Sequence, residues 1–183
     1  MRPEIRIPQR ILCVCLGNIC RSPTAEAVLR QQIEQVGWSI TVDSAGTSNY
    51  HPNKAPDSRS QRYAAARGLD LSGLRARQVA LADFYQFDLI LAMDHNNYAD
   101  LQQMQSMAVQ QYAGRAPRAQ LALMSEHDAI WPQQAVPDPY YGAAQDFERV
   151  LDQCFSAAEG WVKFWRSSDH TASATVIRGQ ACD

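Results

Sequence analysis

Arg10-Ile11-Leu12-Cys13-Val14-Cys15-Leu16-Gly17-Asn18-Ile19-Cys20-Arg21-Ser22-Pro23 is the stretch that decides the fold. From Arg10 to Cys15 the chain is a short, mostly apolar run that soon meets a glycine. That is the pattern of a parallel strand buried on both faces. Gly17 and Asn18 break the run, and both residue types tolerate positive φ, so the backbone can curl there. Ser22 reads as a helix N-cap and Pro23 as a first helical position. Ala25, Val28, Leu29 and Ile33 then form one apolar stripe. The opening unit is strand, tight loop, helix.

Outward from this unit the alternation continues. Residues 39–45 read as a strand ended by Gly46, and 57–67 as a helix closed by Gly68. Phe87 to Met93 is the clearest second buried strand, 94–111 is helical, and 120–124 is a short last strand. Residues 125–142 form a long loop with Pro132, Pro137 and Pro139; loops of that length tend to be functional. Phe147, Val150, Leu151, Cys154, Phe155, Ala158, Trp161, Val162 and Trp165 recur every three or four residues, which makes 143–165 the strongest helix. Beyond Ser167 the periodicity is lost. The pattern predicts one α/β domain, an open four-stranded parallel sheet with helices on both faces, Rossmann-like in winding. The domain is expected over 9–166, with 1–8 an N-terminal extension and 167–183 a flexible tail. Ligands of such sheets sit outside the carboxyl ends of the strands, where Cys15, Gly17 and Ser22 fall.

The 183 residues suffice for one domain with a sizeable core. Hydrophobic residues are 46% and charged residues 20%, which excludes a chain disordered throughout. The net charge is −2, so no basic domain is present to track nucleic acid. Fifteen of the seventeen cations are arginine, the residue whose planar fork suits phosphate. No apolar run approaches the ~18 residues of a membrane span, and no membrane association is expected. The charged N-terminus is followed by only six apolar residues, Ile11 to Leu16, short of the ~7–15 of a secretory core. A cytoplasmic protein is expected. Its five cysteines are odd in number, and three crowd into residues 13–20. In a reducing compartment such a cluster points to catalytic, redox or metal-binding chemistry.

The spacing of Cys15 and Arg21 alone proves little, but its context (strand before, glycine inside, Ser-Pro helix start after) favours the first of these over a buried cysteine beside an ordinary βα turn. A curled backbone at a helix N-terminus aims several N–H groups inward and makes an anion nest. Arg21 adds a two-pronged clamp. The same positive potential holds Cys15 as a thiolate, and a thiolate facing bound phosphate is a nucleophile aimed at phosphorus.

The run from Val14 to Pro23 resembles the signature loop of the low-molecular-weight protein tyrosine phosphatases. Asp43-Ser44-Ala45-Gly46-Thr47 is similar to that family's second-strand motif. Ala76-Arg77-Gln78, Phe87-Asp88 and Met93-Asp94 follow in order, and Asp138-Pro139-Tyr140-Tyr141-Gly142 is similar to its general-acid loop. The resemblance implies Cys15 as nucleophile, Arg21 as clamp and Asp138 as general acid. It implies a phosphate site in the loop Leu16, Gly17, Asn18, Ile19, Cys20, Arg21 and Ser22. Ser22 would also ease departure of the sulfur, while Asn18 and Ser44 brace the loop. Leu16, Ile19, Tyr50, Tyr140 and Tyr141 match positions that wall the cleft, apolar and aromatic as a flat aryl phosphate requires. The implied substrate is a phosphotyrosine protein, and no metal or cofactor is implied. A monomer is expected.

Further expectations follow. Leu74 stands where the family often has a histidine that supports the loop, which puts loop rigidity in question. Arsenate reduction would need redox cysteines between Cys20 and Cys154, and none is there. Arginine phosphatases carry a smaller polar residue in place of Ile19, which favours tyrosine. Zinc would need paired ligands, whereas Cys154 lies on a core stripe. His51, His95, His127 and His170 read as solvated surface. Cys20 is a candidate redox partner of Cys15, with Cys13 its competitor.

Overall fold

The computed structural model describes the backbone of residues 7–176 and the side chains of 7–168. Four strands, β1 (Arg10–Cys15), β2 (Thr41–Gly46), β3 (Leu89–Ala92) and β4 (Gln120–Leu123), form one sheet in the order β2-β1-β3-β4. Every pairing is parallel, with Cys13 opposite Ser44 and Leu91. The expected four-stranded α/β architecture is therefore the one observed. The order reverses beside β1, so the crevice at its carboxyl end is the topological switch point.

The two-residue period of β1 divides the core. Ile11, Cys13 and Cys15 face α1 (Arg21–Gln35) and α5 (Ala144–Val176), among Val28, Leu29, Leu151, Cys154 and Trp165. Leu12 and Val14 face the other side, where α3 (Asp83–Gln86) and α4 (His95–Gln111) supply Phe84, Leu101 and Ala108. A central strand covered on both faces must be apolar at every position, hence the unbroken run that marks it. α2 (Ser58–Ala66) is capped by Asp57, whose carboxylate accepts the Arg59 N–H. α4 is capped in the same way by Asp94, which accepts from Asn97. Each cap contributes about 1 kcal/mol.

Three local expectations are corrected. Ser22 is not a cap: α1 begins at Arg21 with Cys20 as its N-cap, and no side chain caps it. The Ser22 hydroxyl is engaged with Cys15 and Asn18 instead. α3 was not expected, because four residues are too few to show a helical period. Finally, α5 does not stop near Trp165 but continues to Val176, through the first part of the expected tail. Residues 166–176 hold no glycine or proline, and extending an existing helix is far easier than starting one. The rest of that tail, 177–183, lies outside the described residues, as does most of the 1–8 extension. Of the latter, Pro8 is buried and Ile7 packs on the core. Among the described residues no helix is long and apolar enough to cross a membrane.

Candidate active site

Cys15 ends β1 with its side chain nearly buried, and the loop that follows wraps back around the sulfur. The Asn18 N–H donates to Sγ at 3.2 Å, and Ser22 Oγ lies 3.1 Å from it. The curl depends on Asn18, which adopts φ 56°. An L-residue enters this left-handed region only at a cost, and asparagine more readily than most. Gly17 does not share that conformation, contrary to expectation. It is small for another reason: a Cβ there would meet His51 Cδ2 at 3.2 Å. Gly46 is needed for closeness too, since its Cβ would lie 2.7 Å from Leu16 O. A side chain at either position would push β2 or the 50s segment off the loop.

Every amide atom of Asn18 is bonded. Nδ2 donates to Ser22 Oγ at 2.8 Å and Ser44 Oγ at 2.9 Å, while Oδ1 accepts the Arg77 N–H at 3.0 Å. Arg77 is itself held by Asp43 at 2.8 Å and Asp83 at 2.9 Å. Leu74, in place of a histidine, packs against the apolar core. The brace on Asn18 thus comes from a main-chain N–H rather than an imidazole. Ser44 Oγ passes its proton to Glu26 Oε2 at 2.5 Å.

Arg21 is 4% exposed, a buried cation that needs compensation. Nη1 donates to Asp94 Oδ2 at 2.5 Å and to Val136 O at 3.3 Å, and Nη2 donates to Asp138 Oδ2 at 3.0 Å. Burial opposes the charge, but Cys15, Asp94 and Asp138 outweigh it and raise the guanidinium above its ordinary range. Asp94 therefore works with both oxygens, one capping α4 and one fixing Arg21. Asp138 sits between Pro137 and Pro139 with its side chain 47% exposed. Its other oxygen accepts the Tyr140 N–H, and Arg59 donates to Tyr140 O at 2.9 Å, tying the acid loop to α2.

These groups open on a cleft of about 170 Å³ lined by Cys15, Leu16, Gly17, Ile19, Cys20 and Arg21 on the loop side. Tyr50, His51, Asp138, Tyr140 and Tyr141 line the opposite wall. Each residue expected from the sequence at the reacting centre or its walls is brought to this one place. Ser44, Asn18 and Ser22 sit behind it as the brace. Sequence reasoning missed Asp94, Glu26, Arg77 and His51. His51 is a correction: it is half-buried in the cleft wall, 6.3 Å from the Tyr140 ring. Its place could have been suspected from its position one residue past Tyr50. His127 is likewise not solvated surface, being stacked on Phe164 at 3.7 Å, and burial lowers its pKa.

A cysteine cradled at the end of a parallel strand, facing a buried arginine and a half-exposed loop carboxylate, defines a cysteine-dependent phosphatase. A family model described as low molecular weight phosphotyrosine protein phosphatase matches residues 10–170. The low molecular weight phosphotyrosine protein phosphatase of Gallus gallus is 38% identical over 155 residues, 84% of this chain and 93% of that one. Among solved structures, a protein tyrosine phosphatase from Entamoeba histolytica with Hepes in its active site gives a TM-score of 0.77 at 34% identity. That match covers 88% of this chain and 99% of the other. The Drosophila arginine phosphatase is similar as well, with TM-score 0.77, 27% identity, and 85% and 96% coverage. The chain belongs to the low molecular weight phosphotyrosine protein phosphatase family.

Proposed function

We propose that this protein hydrolyses phosphotyrosine in proteins, and aryl phosphates generally, through a phosphocysteine intermediate in the cytoplasm. The observation that carries the reading is Cys15 Sγ, held by Ser22 and the Asn18 N–H in a cleft where Arg21 and Asp138 converge. In the first step Cys15 attacks phosphorus and the aryl oxygen leaves with the proton of Asp138. In the second, Asp138 takes a proton from water, the hydroxyl attacks phosphorus, and the S–P bond breaks to release inorganic phosphate. The N–H groups of Leu16 to Ser22 and the Arg21 fork hold the equatorial oxygens as charge moves between the two apical atoms. Ser22 donates to the sulfur as it departs. Leu16, Ile19, Tyr50, Tyr140 and Tyr141 sandwich the aryl ring.

The test is hydrolysis of p-nitrophenyl phosphate and of a peptide panel carrying phosphotyrosine, phosphoserine or phosphoarginine. Phosphotyrosine is expected to be preferred, since the aromatic walls fit a ring and Ile19 offers a guanidinium no acceptor. Faster release from phosphoarginine would overturn that choice. Asp138→Asn should slow phenyl phosphate by about 10²–10⁴-fold, the usual worth of an acid, and slow an activated dinitrophenyl ester far less. A uniform loss across a leaving-group series would make Asp138 structural.

We also propose that Cys20 protects the nucleophile. Burial pushes its thiol up to about 12, so Cys20 stays a thiol at neutral pH and is itself a poor target for peroxide. Peroxide converts the Cys15 thiolate to sulfenic acid, and the Cys20 thiol displaces water from it to form a disulfide. Without Cys20 a second peroxide carries the sulfenic acid on to sulfinic acid, which thiols do not reduce, so dithiothreitol should restore activity to the peroxide-treated wild type but not to Cys20→Ser. Equal recovery, or a mapped Cys13–Cys15 bridge, would overturn this.

A further inference from the structure

Behind the cleft lies a carboxylate that the proposed reaction does not use. Glu26, on the second turn of α1, is 1% exposed. It accepts the Ser44 hydroxyl proton on Oε2, and Arg30 Nη2 lies 2.5 Å from Oε1 without the alignment of a hydrogen bond. Arg30 is anchored in turn by two bonds to Val42 O, at 2.8 and 3.1 Å.

We propose that Glu26 is a positioning residue that sets the direction of a hydrogen-bond chain, Glu26–Ser44–Asn18–Ser22, ending on Cys15 Sγ. The directions follow from donor counting. An ionised carboxylate can only accept, so Ser44 gives its single proton to Glu26. Ser44 can then only accept from Asn18, at 2.9 Å. The second Nδ2 proton of Asn18 goes to Ser22, at 2.8 Å. The Arg77 N–H, a donor that cannot accept, fixes Oδ1 on the far side and forbids the flipped amide. Ser22 Oγ, already an acceptor, keeps its own proton free for Cys15 Sγ at 3.1 Å, in competition with Ala45 O at 3.3 Å. With the Asn18 N–H at 3.2 Å, the sulfur receives two donors, and both favour its thiolate. This inference rests on the reading of Cys15 as the nucleophile and adds what aims the two donors at its sulfur.

Glu26→Gln breaks the direction without changing the shape. The Arg30 guanidinium repels an amide nitrogen, so the carboxamide turns its Nε2 towards Ser44. Ser44 then meets two incoming donors, and its bond from Asn18 weakens. Burial raises Glu26 against the opposing pull of Ser44 and Arg30, with Asp43 of β2 also raising it and Arg77 lowering it. Acid therefore makes the native residue a donor sooner than an exposed glutamate. The groups around the sulfur itself, Arg21, Ser22, Cys20, Cys154 and Asp138, are untouched by the substitution.

The experiment is carboxymethylation of Cys15 by iodoacetate from pH 4.5 to 9.5, read by tandem mass spectrometry, in wild type, Glu26→Gln, Ser44→Ala and the double variant. The other described cysteines stay silent: burial raises Cys20 and Cys154 to about 12 and Cys13 well above its usual range. Each single variant should react about three- to tenfold more slowly at pH 5.5, with the alkaline plateau unchanged. Near the acid limb that is roughly half to one pH unit in the midpoint. The double variant should match the singles, since both cut one chain. Midpoints equal to wild type in folded variants, or additive shifts, would overturn the relay. If Glu26→Gln fails to fold, Ser44→Ala alone decides, by the same midpoint. Alkylation reads the thiol rather than turnover. An inactive wild type would therefore sink the phosphatase reading, whereas an active one with unmoved midpoints would sink only the relay.

Discussion

Replacing Cys15 by serine is expected to abolish turnover of p-nitrophenyl phosphate, a loss of at least about 10⁴-fold, while inorganic phosphate still binds. A serine hydroxyl stays protonated at neutral pH, and among the described residues neither group hydrogen-bonded to Sγ is a base. Ser22 and the Asn18 N–H, the groups touching Sγ, assist a charged sulfur but cannot take a proton from an alcohol. The loop curl does not depend on the thiol, because it is fixed by the Asn18 amide bonds to Ser22, Ser44 and Arg77. Steady-state kinetics paired with phosphate titration by calorimetry separates the two effects. Turnover within tenfold of wild type would remove Cys15 from the mechanism; loss of phosphate binding would mean that the sulfur, rather than the amide, organises the loop.

Arg21→Lys should be nearly as severe, about 10²–10³-fold in kcat/KM, the scale of a lost oxyanion donor. The guanidinium satisfies several acceptors at once: Asp94 Oδ2, Val136 O and Asp138 Oδ2. A lysine ammonium is a point charge on a flexible stem and cannot span them. Because Asp94 is fixed by capping α4, it cannot follow a shorter partner, and a partly buried carboxylate oxygen loses its match. The melting temperature should therefore fall together with activity. Retention of more than a tenth of wild-type kcat/KM would show that a single charge suffices and that the two-pronged geometry is incidental.

Residues whose environment is local were legible in the sequence. The apolar run of β1 and the stripe of α5 each announce themselves within a few positions. What could not be read was set by partners distant in the chain. Glu26 looks like a surface glutamate on a helix until β2 brings Ser44 against it, eighteen residues on. Asp94 belongs to a visible motif, yet its grip on Arg21 spans 73 residues. His51 appears as a lone polar-loop histidine, and only the fold shows that Gly17 makes room for it. Ser22 is instructive in the other direction: its local signal was a good cap, and a tertiary bond to Cys15 outweighed it.

The contact between Arg21 and Asp138 has a consequence for how the cycle closes. An empty cleft would leave one edge of a deeply buried cation bare, and such a site would cling to whatever anion it had just made. Here the chain carries its own rival for that edge, the half-exposed carboxylate of Asp138. On the proposed mechanism an incoming dianion would displace Asp138 from Arg21 and so free the carboxyl for the ester oxygen. On the same mechanism the carboxylate would then compete with the orthophosphate for the fork. Release is thereby built into the resting arrangement, and some tightness of substrate capture is given up for it.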